Sequence, residues 1–210
     1  MRTFNLLAMN KNSIGREIPK KIEGIGELEP YSGAWTKLKK GWMDELTSPP
    51  PNKAKMPHAV KLCETLEEAI KKSNPKDGMT VSFHHHMRNG ENILVRSIDI
   101  LAQMGIKDIT LASSSLNESH NSIIKYLEDG TITRIWTSGI RGKLGQAISS
   151  GIMDTPITIH SHGGRVRAIH TGKISIDLAI IAASAADEEG NATGSIGKSA
   201  FGSLGYAHID

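Results

Sequence analysis

The sequence predicts an α/β fold: an open, mostly parallel sheet with helices on both faces, preceded by an irregular N-terminal arm. Three observations carry that prediction. Strand-like runs alternate with amphipathic helical stretches from about residue 56 onward. Strands separated by helices need crossover connections, which favour parallel pairing. A chain of 210 residues with 38% hydrophobic content buries one ordinary core plus an appendage, and hardly more.

Taken in order, residues 1–55 show weak periodicity, many glycines and prolines, and a Pro49-Pro50-Pro51 run that neither a helix nor an inner strand tolerates. They read as an arm and a stiff linker, and Trp35 and Trp42 imply that the arm packs on its own domain or on a partner. The domain is then 56–210. Its lead-in helix is expected from Pro57 to Ser73, with Val60, Cys63, Leu66, Ala69 and Ile70 on one face. Asp77-Gly78 turns into a strand from Met79 to His84. A helix from Glu91 to Met104 repeats apolar residues at Leu94, Ile98 and Leu101, and Gly105 closes it with a left-handed cap.

That βα unit recurs. Strands are expected at Asp108 to Ala112, Thr131 to Trp136, Pro156 to His160 and Ile174 to Ala183. Between them lie helices at Glu118 to Glu128, Lys143 to Ser149 and about Arg165 to His170. The run from Ile176 to Ala183 is apolar apart from Asp177, the pattern of a central strand buried on both sides.

Composition removes several function classes. A net charge of +3, from 25 Lys+Arg against 22 Asp+Glu, is too small and too interspersed for duplex DNA or an anionic membrane. Three Trp, three Tyr and three Phe against 21 Gly do not make a stacking platform for single-stranded nucleic acid. Cys63 stands alone, so an intrachain disulfide is excluded and a reducing compartment is expected. The apolar stretch from Phe4 to Met9 is shorter than the roughly 7 to 15 residues of a secretory apolar region. A cytoplasmic protein is the resulting expectation.

In an open parallel sheet, ligands bind outside the carboxyl ends of the strands. The turns expected there are His84-His-His-Met-Arg88-Asn-Gly90, Ser113-Ser-Ser115, Ser138-Gly-Ile-Arg141-Gly-Lys143, Ser161-His-Gly-Gly-Arg165-Val-Arg167 and Asp187-Glu-Glu-Gly-Asn191. Glycine or serine beside Arg, Lys or His supplies N–H donors and cations, the groups that hold phosphate, carboxylate or a developing oxyanion. The histidine triplet does not predict a metal site, because only His84 and His86 could share a face and no neighbouring ligand completes a set. His84, His85 and His86 read either as polar loop residues or as hydrogen-bond donors of a site. Gly139, Gly142 and Gly145 fit helix packing as well as ligand contact. Gly163-Gly164 before Arg165 and Arg167 fits a carboxylate grip, with a solvated helix start as the plain alternative. Gly197-Lys198-Ser199 ends like a phosphate-binding loop, but polar residues separate it from the preceding strand and few residues follow it, so nucleotide binding is not expected.

The segments Gly15-Arg-Glu-Ile-Pro19, Ser82-Phe-His-His-His86, Gly105-Ile-Lys-Asp108, Thr137-Ser-Gly-Ile-Arg-Gly-Lys-Leu-Gly145, Ser161-His-Gly-Gly-Arg165 and Gly197-Lys-Ser199 together resemble the alpha subunit of bacterial citrate lyase, in the CoA-transferase superfamily. The resemblance runs from about Ser13 to the last residue and corresponds to the first of two α/β halves of such a subunit. It implies a CoA-transferase-like fold and a citrate acyltransferase. Acetyl on the thioester arm of an acyl-carrier gamma subunit, a phosphoribosyl-dephospho-CoA group, is exchanged for citrate through a mixed anhydride. The beta subunit then cleaves citryl thioester to oxaloacetate, regenerating the acetyl form. No cofactor is expected in this chain itself; beta and gamma subunits and an oligomer are implied as partners.

With the resemblance, roles can be assigned as expectations. Arg165 and Arg167 hold citrate carboxylates, and His84, His85, His86 and Gly90 line the thioester oxyanion. Ser138, Gly139, Arg141 and Gly142 meet the carrier arm or substrate, and Arg88, His162, Gly163 and Gly164 complete the substrate contacts. The alternative is a catalytically silent half-subunit that serves as a docking module of the lyase complex.

Overall fold

The computed structural model describes residues 9–12, 15–29, 60–84 and 90–195. The chain divides into two compact units, Met1–Glu45 and Leu46–Asp210. The proline run, Trp35, Trp42 and the expected boundary at residue 55 lie outside the described residues. In the first unit the arm forms two small antiparallel pairs: β1 (Met9–Lys11) with β2 (Glu17–Pro19), and β3 (Lys21–Ile22) with β4 (Gly26–Glu27). The turn between β1 and β2 is held by Asn12, whose side-chain oxygen accepts from the Arg16 N–H at 3.0 Å.

Among the described residues the first element of the second unit is α1 (Leu66–Lys72), shorter than the sequence suggests. Thr65 caps it by accepting from the Glu68 N–H, and Glu67, Glu68 and then Lys71, Lys72 follow the helix dipole. A cap fixes a start, so Val60 and Leu62 fall before the helix and are exposed. Cys63, expected within the helix as a core residue, instead precedes it and is half-buried.

Then follow β5 (Thr80–Phe83), α2 (Ile93–Gln103), β6 (Ile109–Ser113), a 3-10 turn (Glu118–Ile123) running into α3 (Ile124–Glu128), β7 (Ile132–Thr137), α4 (Gly142–Ser149), β8 (Thr158–Ile159), α5 (His162–His170) and β9 (Leu178–Ile180). A hairpin of β10 (Ala185–Ala186) and β11 (Ala192–Thr193) comes last. The five strands β5 to β9 form one sheet in the order β8-β7-β6-β5-β9, and every pair is parallel.

That order dictates the layering. Successive strands β5 to β8 step one way, so their right-handed crossovers α2, α3 and α4 lie on one face; α5 carries the chain back past β5 to β9 and lies on the other. The first face holds the larger core, where Val81, Phe83, Leu111 and Ile135 meet Leu94, Ile98, Leu101, Ile123, Leu127 and Leu144. Each such side chain, fully buried, contributes about 1.5–3 kcal/mol. The α5 face is thinner: Ala112, Ala168 and Ile174 with Trp136, Ile169 and Ile176.

One strand sits elsewhere than expected. The run after Asp177 is an edge strand of three half-buried residues, and β6, buried throughout, is central. Continuous hydrophobicity marks burial but not position. Asp177 gives the reason: its carboxylate accepts the Thr80 N–H at 2.8 Å and its own N–H donates to the Thr80 carbonyl at 3.0 Å, stitching the strand to the outer side of β5.

Candidate functional site

Parallel pairing places the turns after β5, β6, β7 and β8 along a single rim. The strand order reverses at β5, since β6 lies on one side and β9 on the other, and the crevice at such a reversal is where ligands bind in these folds. The register then lines up the side chains. Ser82 pairs with Ala112 and Trp136 with Thr158, while Leu111 opposite Ile135 puts Ala112 beside Trp136. Two residues further, at the next step of the strand period, stand His84, Ser114, Ser138 and His160. They form one polar row at the rim, on the face that α5 covers. Backbone bonds continue the sheet to that level: Ser114 N–H to Phe83 O at 3.0 Å, Ser138 N–H to Ser114 O at 3.1 Å and His160 N–H to Thr137 O at 3.0 Å.

Under this row lies Arg165, 1% exposed, whose Nη2 donates to Ser82 Oγ at 2.8 Å. His84 and Ser114 are also buried. Ser138 Oγ and His160 Nε2 are covered as well, and neither has a hydrogen-bond partner among the described residues. The His160 ring stands 6.2 Å from that of Trp136, and its Nδ1 lies 3.2 Å from the Ser161 carbonyl. Burial, helped by the Arg165 charge, holds the imidazole below the ordinary histidine range against the opposing pull of that carbonyl.

The α5 start explains its glycines. Ser161 caps the helix by accepting the Gly164 N–H at 3.0 Å, so the helix begins at His162 and takes in the diglycine. A Cβ on Gly164 would come within 3.1 Å of Ser161 Oγ and 3.4 Å of His160 Cβ, whereas one on Gly163 would meet open space. Only the first is needed for close approach. Along the helix, residues two apart point in different directions: Arg165 turns inward while Arg167 and His162 are exposed. Of the two arginines expected to hold carboxylates together, Arg165 is buried and Arg167 lies at the surface.

After β7, Ser138 and Gly139 follow Thr137, and this turn is sewn to the one after β6. Leu116 N–H donates to Gly139 O at 3.0 Å and Arg141 N–H to Leu116 O at 3.1 Å. Gly142 has φ +70, and a Cβ there would stand 2.7 Å from Glu118 Cγ, so close packing of α4 on the 3-10 turn accounts for it. Asn121 then caps α4 through the Leu144 N–H at 3.0 Å. Gly139 accepts no such explanation, since a Cβ there meets nothing. Arg141 is exposed at the rim, as is Gly90, whose φ of +90 suits a residue without Cβ. His85, His86 and Arg88 lie outside the described residues, as do Gly197, Lys198 and Ser199. Ala192 and Thr193, just before that last group, belong to a hairpin and not to a phosphate-binding strand-to-helix turn.

A buried pair escaped the sequence reading. His120 Nε2 stands 2.8 Å from Glu91 Oε1, with side chains 4% and 13% exposed. His120 Nδ1 accepts the Asn117 N–H at 3.1 Å, so the proton sits on Nε2 and faces the carboxylate. Glu91 also accepts from the Ile93 and Leu94 N–H groups at the α2 start. Burial pushes its carboxyl up, but the His120 bond and those two backbone donors outweigh it and hold the group below its ordinary value. The legible signal was Asn117 as a helix cap; its link to Glu91 needed the fold. Among the described residues no three His, Cys, Asp or Glu side chains are placed to hold a metal ion, and no helix is long and apolar enough to cross a membrane.

A family model described as citrate lyase, alpha subunit (CitF) matches residues 59–210. The chain belongs to the citrate lyase alpha subunit family. It is 51% identical over 150 residues to the citrate lyase alpha chain of Klebsiella pneumoniae and 50% identical over 150 residues to that of Haemophilus influenzae. Each alignment covers 71% of this chain but only 30% of the relative, so the chain spans about a third of the length of the alpha chains it matches. Among solved structures, a citrate lyase alpha subunit of Streptococcus mutans in complex with citrate superposes with a TM-score of 0.77 at 44% identity. That match covers 95% of this chain and 38% of the other.

Proposed function

We propose that this chain supplies one wall of a citrate acyl-transfer site within a citrate lyase alpha subunit. The observation that carries the reading is the row His84, Ser114, Ser138 and His160, which runs along the rim from the reversal point at β5 to β8, with Arg165 beneath it. The citrate bound by the Streptococcus mutans relative supports the choice of ligand.

The chemistry asks for little else. A citrate carboxylate oxygen attacks the thioester carbonyl carbon, and the carbonyl electron pair moves onto oxygen. Collapse of that oxyanion breaks the C–S bond and leaves a mixed anhydride; the released thiolate attacks the citryl carbonyl and expels acetate. No side-chain nucleophile is consumed. The protein's part is to orient a ligand of three negative charges and to meet the oxyanion with fixed donors, each worth about 3 kcal/mol when well placed. Arg165 suits the first task, because a buried guanidinium acts in a medium of low dielectric. Donors of the polar row suit the second. The acyl-carrier and beta subunits would supply the thioester and the later cleavage.

Incubation with an acetyl-loaded acyl-carrier protein and labelled citrate tests this. Citrate-dependent release of acetate is expected, reduced at least tenfold by Arg165→Lys, which keeps the charge but loses the planar fork. A folded protein that neither binds citrate nor releases acetate would overturn the reading.

A further inference from the structure

Two members of the polar row, Ser138 and His160, stand at the β7 and β8 ends. Ser138 Oγ and His160 Nε2 are covered by protein and have no hydrogen-bond partner among the described residues. Folded proteins pair nearly all such groups, and the exceptions call for a reason. Both atoms lie on the same face of the adjacent strands β7 and β8, next to the start of α5, in the polar row to which citrate is assigned above.

The hydrogen inventory of His160 narrows what its reason can be. Nδ1 lies 3.2 Å from the Ser161 carbonyl, an acceptor only, so Nδ1 carries the proton. The imidazole is held neutral by its surroundings. Nε2 is therefore a lone pair in want of a donor. Ionised carboxylates have no hydrogen to give, and citrate's remaining polar group is its hydroxyl.

We infer that His160 is the residue that recognises the ligand's hydroxyl group, accepting its hydrogen at Nε2 while Ser138 donates to a neighbouring carboxylate. The inference rests on the citrate reading and adds the atom that distinguishes a hydroxylated tricarboxylate from a plain one. Burial, with the Arg165 charge adding to it, keeps the ring neutral and the lone pair available.

Calorimetric titration of the full chain with citrate and with propane-1,2,3-tricarboxylate, which lacks only the hydroxyl, decides it. The wild type is expected to favour citrate by at least about tenfold, because a site built around a hydroxyl leaves its own group unpaired when the hydroxyl is missing. His160→Phe should abolish the preference by weakening citrate alone, and His160→Gln, which restores an acceptor near the Nε2 position, should recover part of it. Equal weakening of both ligands by His160→Phe would make the residue a packing element and overturn the inference. So would a wild type that binds the two equally, with the citrate reading intact. If the folded wild type binds neither, the inference falls together with that reading.

Discussion

The two rims of the sheet are built on opposite terms. At the rim where the strands begin, polar groups are paired off. Asp77 accepts the Lys107 N–H at 2.8 Å, and the Lys107 ammonium reaches Thr131 Oγ1 at 2.8 Å and Asp129 at 3.3 Å. Asp108 takes Thr133 Oγ1 and, at 3.3 Å, Arg134, while Asp177 takes the Thr80 N–H. At the rim where the strands end, buried polar atoms of Ser138, His160 and Ser184 stand without partners among the described residues. An unmade bond to a buried polar group costs about 1–3 kcal/mol. A fold can place such groups on either rim, and among the described residues this one leaves them beyond the strand ends. Paired and spare bonding capacity thus fall on separate rims, and substitutions on each test that separation.

The largest effect is expected at a place that complicates the contrast. Glu91 and His120 stand on the strand-end rim yet are fully satisfied, so that rim has a locked half beside β5 and β6 and an open half beside β7 and β8. Glu91→Ala leaves a buried histidine N–H unpaired and uncaps α2, with an expected loss of about 3–5 kcal/mol in a urea melt. The pH dependence follows from the same pair. The folded carboxyl lies below its ordinary value of 4.5, so its contribution is fully present above that value and is lost as pH falls through the lower folded one. Wild type should weaken across that acid window and Glu91→Gln should weaken less. A Glu91→Ala protein as stable as wild type would dissolve the locked half.

How much of this was legible in the sequence depends on the range of each interaction. The β5 to β8 strands and α2 were readable because period and caps are local: Leu94, Ile98 and Leu101 fall on one face whatever surrounds them. The place of β9 was not, because Ile176 to Ala183 look alike at a centre or an edge, and only Asp177 bonding to Thr80, 97 residues away, decides. Gathering the loops on one rim followed from parallel topology. The polar row did not, since it depends on the register of four strands, and His160 looked like no more than the last residue of one of them. Conversely, Arg165 and Arg167 were visible in the sequence, but their divergence required knowing that the helix starts at Ser161 and includes the diglycine.

A middling effect is expected on the strand-start rim. Asp129 accepts the Thr131 N–H at 2.8 Å and faces Lys107 across 3.3 Å, with both charged side chains 48% exposed. Burial raises its carboxyl, but the Thr131 and Lys107 bonds together bring it below the ordinary value. Solvent screens the ion pair, so the backbone bond carries most of the worth. Asp129→Ala should lower stability by about 1 kcal/mol in chemical denaturation while leaving citrate affinity within twofold. A comparable loss of affinity would mean that the two rims are coupled and the separation is wrong.

The smallest change in stability, and the most telling, is expected from Ser138→Ala. Where a buried hydroxyl is paired, its removal costs; where it is unpaired, removal relieves a desolvated group and should leave stability unchanged or raise it by up to about 1 kcal/mol. The same substitution deletes the donor assigned to a ligand carboxylate, so citrate should bind roughly tenfold more weakly. Stability and affinity then move in opposite directions at one atom, the signature of a group kept buried for a ligand. Thermal melting with and without citrate reads both at once: a midpoint no lower than wild type in the free protein, and a smaller upward shift on adding citrate. A free-protein midpoint several degrees below wild type would show that Ser138 Oγ is already paired in solution, and would remove the strand-end rim's claim to spare bonding capacity.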